Sequence, residues 1–174
     1  MFDLDAASNN DHHFNWYDGY YEVPLNNQNL KLRPTISYLY LDLDTTSYGF
    51  ESSDFGQEEW CGYLRKMRKF SNMTLKQLVD YSEHNDHFRI NERLSANEKT
   101  LLTERFPADL VDAAKPYLGH FALYNTKFNP EKPDKKCPRV FFLLGTNCVF
   151  HILSFDAYHK IHPMSETEKK SHGI

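Results

Sequence analysis

The sequence has no apolar run long enough to cross a bilayer. Its most hydrophobic stretch, Val140 to Phe155, is broken by Gly145-Thr146-Asn147 and falls short of the roughly 20 apolar residues a membrane helix needs. No basic, apolar leader ending in small residues opens the chain, so Met1 onward does not read as a secretory signal. A cytoplasmic location without a membrane partner is therefore expected. Cysteine is scarce: Cys61, Cys137 and Cys148 are an odd number and form no CxxC pair. That argues against a disulfide framework or zinc ribbon and for free or buried thiols in a reducing compartment. GxxxxGK(S/T), GxGxxG, GxSxG and HExxH are all missing, so NTP hydrolysis, dinucleotide redox chemistry, serine hydrolysis and zincin proteolysis lack support. No cofactor is implied, and no internal repeat suggests a second core.

What is present is a chain of 174 residues, 40% apolar, with 13 Phe and 11 Tyr. That is enough to bury one core, and residues 1–174 read as a single domain. Charge divides it. Residues 1–60 carry eleven acidic residues against Lys31 and Arg33, a net of −9, whereas residues 61–174 carry 13 acids and 18 bases, a net of +5. The basic body could face phosphates, the acidic leader could cover it or repel nucleic acid, or both could be solvated faces.

Residues 1–34 form an Asn- and Asp-rich leader whose interleaved aromatics suggest that it packs on the body. In TISYLYLDLD, Leu39, Leu41 and Leu43 alternate with Tyr38, Tyr40 and Asp42, the period of a half-buried strand. From Glu58 the period becomes helical, with Trp60, Tyr63, Leu64 and Met67 as the apolar stripe and Arg65, Lys66, Arg68 and Lys69 as a basic outer face. Thr74 with Gln77, and Ser95 with Glu98, read as capping boxes opening two further helices, the second stopped by Pro107. A last helical turn, ADLVDAAK, ends near Pro116. GHFALYN then alternates, and RVFFLL and CVFHILSF flank Gly145-Thr146-Asn147 as a hairpin of central strands. The predicted class is α+β, an antiparallel sheet of about four or more strands with three to four helices on one face, in the order β-α-α-α-β-β-β. Residues 35–163 form the core of this plan and 164–174 a polar tail.

The hairpin runs straight into Asp156-Ala157-Tyr158-His159-Lys160-Ile161-His162. In an antiparallel hairpin the start of one strand lies beside the end of the other, so Arg139 is expected beside Phe155 and Asp156. Arg139, Tyr158, His159, Lys160 and His162 are thus the candidate catalytic residues. Imidazole exchanges protons near neutral pH, and guanidinium suits a phosphodiester in transfer. An ion pair between Arg139 and Asp156 and a polar extension with surface histidines are the plainer readings. The loop residues His87 and Arg89, with Arg65 and Arg68 on the helix, are candidate substrate-binding groups. Tyr38 and Tyr40, or Phe88 beside Arg89, could stack on bases, although half-buried packing under a helix is the commoner fate of such rings. His84 and His87 have H-x-x-H spacing, but zinc would need two more ligands, and an exposed loop is the simpler reading. Asp42 and Asp44 could hold magnesium with Glu58 or Glu59; solvated loop acids are commoner. His151 reads as a core or sheet-face histidine.

On these residues a resemblance can be stated. Trp60 near a helix start, the loop with His84 and His87, and Arg139 opening a hairpin that closes in FHILSFDxxHK together resemble a group of small bacterial and prophage proteins. The closing pattern is also similar to the last strands of RelE/ParE-like toxins. That resemblance implies a metal-independent endoribonuclease of a toxin-antitoxin or phage-related system, or a degenerate relative. Arg139 would clamp the phosphate, His159 would act as base or acid, and Tyr158, Lys160 or His162 would assist, with RNA as substrate and an antitoxin or host factor as partner. The acidic leader departs from such toxins, which are usually shorter and clearly basic. The alternative expectation is a noncatalytic phage or mobile-element protein that binds a protein partner through its acidic, aromatic N-terminal third.

Overall fold

The computed structural model describes residues 31–41, 49–82, 88–90, 94–124 and 136–161. Within them the elements are β1 (Thr35–Ser37), α1 (Gln57–Phe70), α2 (Leu75–Ser82), β2 (Arg89–Ile90), α3 (Ala96–Arg105), α4 (Ala108–Ala114), β3 (Leu118–Ala122), β4 (Arg139–Gly145) and β5 (Val149–Asp156). The strands form one five-stranded sheet in the order β1-β5-β4-β3-β2. The class is α+β, as the sequence predicts.

Four details differ from the expected plan. A short strand, β2, stands between α2 and α3, so the order is β-α-α-β-α-α-β-β-β rather than β-α-α-α-β-β-β. The sheet is mixed, because β1 runs parallel to β5 while every other pair is antiparallel. Alternation marks a strand but carries no information on the direction of its neighbour. β1 is also shorter than the alternation suggests. The Leu39 N–H donates to Ser37 Oγ at 3.3 Å and that of Leu41 to the Tyr38 carbonyl at 3.1 Å, so a local turn takes the groups that a ladder would have used. Finally, helices cover both sheet faces. Phe70 of α1 packs on Phe121 and Phe150. Phe106, at the end of α3, meets Tyr40, which lies on His151. Phe150 and His151 are neighbours in β5 and therefore point to opposite faces.

The central hairpin is where sequence and structure agree most closely. Every residue of β4 is buried. Asn147 and Cys148 take left-handed backbone, φ 55° and 60°, to reverse the chain. A register shift at Phe141/Phe142 lets β5 carry one extra residue, a bulge that increases local twist. The α1 face of the sheet is aromatic: Phe142 stacks on Phe150 at 4.4 Å and on Phe88 at 5.5 Å. The opposite face carries the buried polar groups of the sheet, His120, Arg139, His151, Ser154 and Asp156.

The helix starts follow the sequence signals. Thr74 and Gln77 exchange hydrogen bonds at the head of α2, as do Ser95 and Glu98 at the head of α3. The buried stripe of α1 is rotated from the expected one. It comprises Glu59, Gly62, Tyr63, Lys66 and Phe70, leaving Trp60 and Leu64 outside. Glu59 is drawn inward by partners distant in sequence, and that sets the rotation. No helix among the described residues is long and apolar enough to cross a membrane.

Candidate functional site

The end of β3, the start of β4 and the end of β5 meet at one pole of the sheet. Arg139 pairs in register with Asp156 across β4 and β5, and with Ala122 across β3, the placement that the hairpin geometry predicts. The two charged groups nonetheless spend their hydrogen bonds elsewhere. Arg139 is only 5% exposed, and its Nη1 donates to the carbonyls of Pro138 at 3.3 Å and Cys137 at 3.5 Å. Burial pulls its guanidinium below the ordinary value, opposed by the Cys137 side chain and then by the charge of Asp156.

Asp156, 1% exposed, holds the following turn. Its Oδ1 accepts from the Tyr158 N–H at 3.1 Å and its Oδ2 from the Ile161 N–H at 2.6 Å. Burial pushes its carboxyl above the usual carboxylate range against the pull of these donors. His159 completes the turn at φ 58°. Ser95 Oγ and Asn97 Nδ2, at the head of α3, donate to the carbonyls of Ile161 and Lys160, both at 2.8 Å. The turn is thus fastened from inside by Asp156 and from outside by α3.

Tyr158 leaves this turn toward the loop before α1, where its hydroxyl donates to Asp54 Oδ1 at 2.8 Å. Lys160 Nζ lies 5.2 Å from the Tyr158 ring. Ser52, Asp54, Phe155, Asp156, Ala157, Tyr158 and Lys160 enclose an open cleft of about 250 Å³. Neither Arg139 nor His159 lines it.

Beside the cleft is a fastening that sequence reasoning missed. Glu59 Oε1 accepts from Tyr124 Oη at 2.9 Å and from Lys136 Nζ at 3.2 Å, and its Oε2 accepts from the Gly56 N–H at 2.9 Å. Lys136 also donates to the Asp54 carbonyl at 2.6 Å. Burial acts to raise the Glu59 pKa, but the hydrogen bonds from Tyr124, Lys136 and the backbone outweigh it and hold the carboxyl below its usual value. The Gly56-x-x-Glu59 spacing, in which the Glu59 carboxylate bonds back to the Gly56 N–H as in one half of a capping box, was the available signal for Glu59. Asp54, Tyr124 and Lys136 come from loop or strand-end positions with no such pattern.

The candidate substrate-binding residues are not brought to this pole as a group. Arg65 and Arg68 are exposed on α1, six and nine residues beyond Glu59 and thus roughly 9 and 14 Å along the helix. Arg89 is exposed on edge strand β2, in register with His120, close enough for its charge to act on Arg139. His87 and His162 lie outside the described residues, as do His84, Asp42, Asp44 and most of the leader. No group of three His, Cys, Asp or Glu suited to a metal ion occurs among the described residues. His151 is a buried sheet-face histidine under Tyr40.

A second surface stands out on physical grounds. Tyr38, Leu39, Trp60 and Leu64 are 50%, 63%, 47% and 60% exposed. Tyr63 connects them: its hydroxyl donates to that of Tyr38 at 2.9 Å, its ring lies 6.2 Å from that of Trp60, and Leu64 follows it in the chain. Trp60 is held from behind by Phe55 at 4.8 Å and Phe50 at 6.4 Å. Comparison with protein-family models, with curated proteins and with solved structures returns no match.

Proposed function

We propose that this chain is a noncatalytic interaction protein whose N-terminal third engages a protein partner through Tyr38, Leu39 and Trp60, extended by Leu64. The observation that carries this reading is that these large side chains stay in water while the sheet beside them is sealed. Clustered apolar exposure of this kind marks association surfaces, and Trp and Tyr in particular dominate binding energy once desolvated. Trp60 is already fixed by its aromatic neighbours, so little rotamer freedom remains to be lost on binding. Exposed Glu51 and Glu58 flank the patch, so a partner with an apolar pocket and a basic margin would complement it.

The ribonuclease reading asks Arg139 and His159 to meet one phosphodiester. What weighs against it is that Arg139 is enclosed and already donates to two carbonyls, and that the adjacent cleft is lined by neither residue. A stabiliser of developing charge must have donors aimed at the reacting oxygen.

The test compares partner capture with RNA cleavage. The tagged wild-type chain, purified from cells that make it, is expected to carry one stoichiometric protein partner. Trp60→Asp with Leu64→Asp is expected to purify alone with an unchanged circular dichroism spectrum, and neither form should degrade total RNA. The reading is overturned if the wild-type chain purifies alone and cleaves RNA in the presence of chelator, with cleavage abolished by Arg139→Ala and His159→Ala.

A further inference from the structure

The cleft between the loop before α1 and the turn after β5 is lined by charges of opposite sign that do not meet. Asp54 and Lys160 both line it, yet neither belongs to an ion pair among the described residues. Tyr158 stands between them: its hydroxyl donates to Asp54 Oδ1 at 2.8 Å, and Lys160 Nζ lies 5.2 Å from the centre of its ring. Each charge is set on a backbone fixed from its own side. The Asp54 N–H donates to Ser52 Oγ at 3.2 Å and its carbonyl accepts from Lys136 at 2.6 Å, while the Lys160 carbonyl accepts from Asn97 at 2.8 Å.

The hydrogen-bonding capacity left over in the cleft is dipolar. Asp156 is committed to the N–H groups of Tyr158 and Ile161, and Lys136 to Glu59 and the Asp54 carbonyl. On the acidic side there remain Asp54 Oδ2, which accepts no bond among the described residues, and the second lone pair of Ser52 Oγ. On the basic side there remain the ammonium donors of Lys160. Phe155 and Ala157 supply an apolar wall.

We propose that this cleft binds a small amino acid as its zwitterion, the ligand ammonium on Asp54 Oδ2 and Ser52 Oγ, the ligand carboxylate on Lys160 Nζ. A plain anion would meet Lys160 but also the Asp54 carboxylate, and a plain cation would meet Asp54 but also the Lys160 ammonium. A ligand carrying both charges satisfies both groups, through charge-assisted hydrogen bonds at each end. Size agrees with this class: at about 250 Å³ the cleft falls below the roughly 300–1,000 Å³ of sites for drug-sized ligands. The site uses none of the residues of the Tyr38 and Trp60 surface and does not depend on the partner proposed for it.

The test titrates the full-length chain with L-alanine, following heat and backbone amide shifts, with N-acetyl-L-alanine, L-alaninamide, acetate and methylammonium as probes lacking one charge. Alanine should bind saturably, shifting the amides of Asp54 and of residues 158–161, and the four single-charge probes should bind at least about tenfold more weakly, the loss of one charge-assisted bond. Raising the salt concentration should weaken alanine binding by screening. Asp54→Asn, which keeps an acceptor for Tyr158, should weaken alanine about tenfold and erase its advantage over N-acetyl-L-alanine; Lys160→Met, at an exposed position, should do the same relative to L-alaninamide. Amide spectra unchanged away from the cleft show that both variants are folded. The proposal is overturned if alanine produces no saturable shift by about 100 mM, a hundred times a dissociation constant of about 1 mM. It is equally overturned if acetate or methylammonium binds as well as alanine, or if neither substitution alters alanine binding. Partner capture reads Trp60 and Leu64, so either proposal can fail without the other.

Discussion

Two glycine substitutions should move stability in opposite directions, and the structure says why. At Gly119 in β3, an added Cβ would lie 2.5 Å and 2.9 Å from ring atoms of Phe142 and 2.6 Å from the Arg89 carbonyl. The ring cannot yield freely, because Phe142 is stacked on Phe150 at 4.4 Å and on Phe88 at 5.5 Å, and the carbonyl belongs to β2, paired with β3 at this residue. Overpacking of this kind costs about 1–3 kcal/mol, occasionally more, of which stiffening of the unfolded chain returns roughly 0.4–1 kcal/mol. A net loss of about 1–2 kcal/mol corresponds to a melting point lower by roughly 2–8 °C for a chain of this size. At Gly62 inside α1, the nearest atoms to an added Cβ are 3.4–3.6 Å away, ordinary contact. Removing a helix-interior glycine should then stabilise by roughly 0.5–1 kcal/mol. Thermal and urea unfolding of Gly119→Ala and Gly62→Ala, with m-values compared, measure both. If Gly119→Ala is as stable as the parent, the close approach of β2, β3 and Phe142 is not as described.

Other outcomes follow from the buried charges. Asp156→Ala removes the acceptor of two turn N–H groups and should destabilise by about 2–4 kcal/mol, since each such group left buried costs about 1–3 kcal/mol. Hydrogen exchange should show the loss first at residues 158–161, and unchanged protection there would refute the assignment. Because burial raises the Asp156 pKa, that carboxyl favours the fold most below its unfolded value of 3.8 and less as pH rises through its folded value. His151 behaves oppositely: burial lowers its pKa from 6.5 to about 4, so its contribution is present at neutral pH and lost as pH falls from 6.5 toward 4. A pH titration of stability in His151→Phe, where no proton can bind, should be flatter across that window than in the parent. Glu59→Gln should weaken the links to Lys136 and Tyr124 and lower stability by about 1–3 kcal/mol, whereas Glu58→Gln, at an exposed position, should be nearly neutral.

The central hairpin was legible because the information for it is local. Two apolar runs around Gly145-Thr146-Asn147 determine both the turn and the register that brings Arg139 to Asp156, and the capping boxes at Thr74 and Ser95 are equally local. What could not be read depends on partners distant in sequence. The parallel pairing of β1 with β5 joins residues more than a hundred positions apart. The rotation of α1 arises because Glu59 meets Tyr124 and Lys136, which turns Trp60 and Leu64 outward although their spacing alone suggests a core stripe. The same rotation creates the exposed patch. The surface that best supports a function is thus a consequence of a partly buried ion pair and hydrogen bond that no pattern in α1 announces.

The titratable groups that follow the hairpin have a structural explanation that limits what chemistry they can perform. A fully buried strand must end somewhere, and the N–H groups beyond its end lose their ladder partners. Asp156 supplies them with a carboxylate, Tyr158 carries the chain across to Asp54, and α3 takes the carbonyls of Lys160 and Ile161. The Asp156 carboxyl and the Tyr158 hydroxyl are held by partners that would have to be released before either could act on a substrate. Releasing Asp156 would also free the turn carrying Tyr158, His159 and Lys160, so the residues that catalysis would need to keep in place depend on Asp156 remaining engaged. Arg139 is tied more closely still, by carbonyls of its own strand's approach. A rim built in this way resists rearrangement. Trp60 and Leu64 require no such release: they are already in solvent on a helix whose opposite face anchors it to the core.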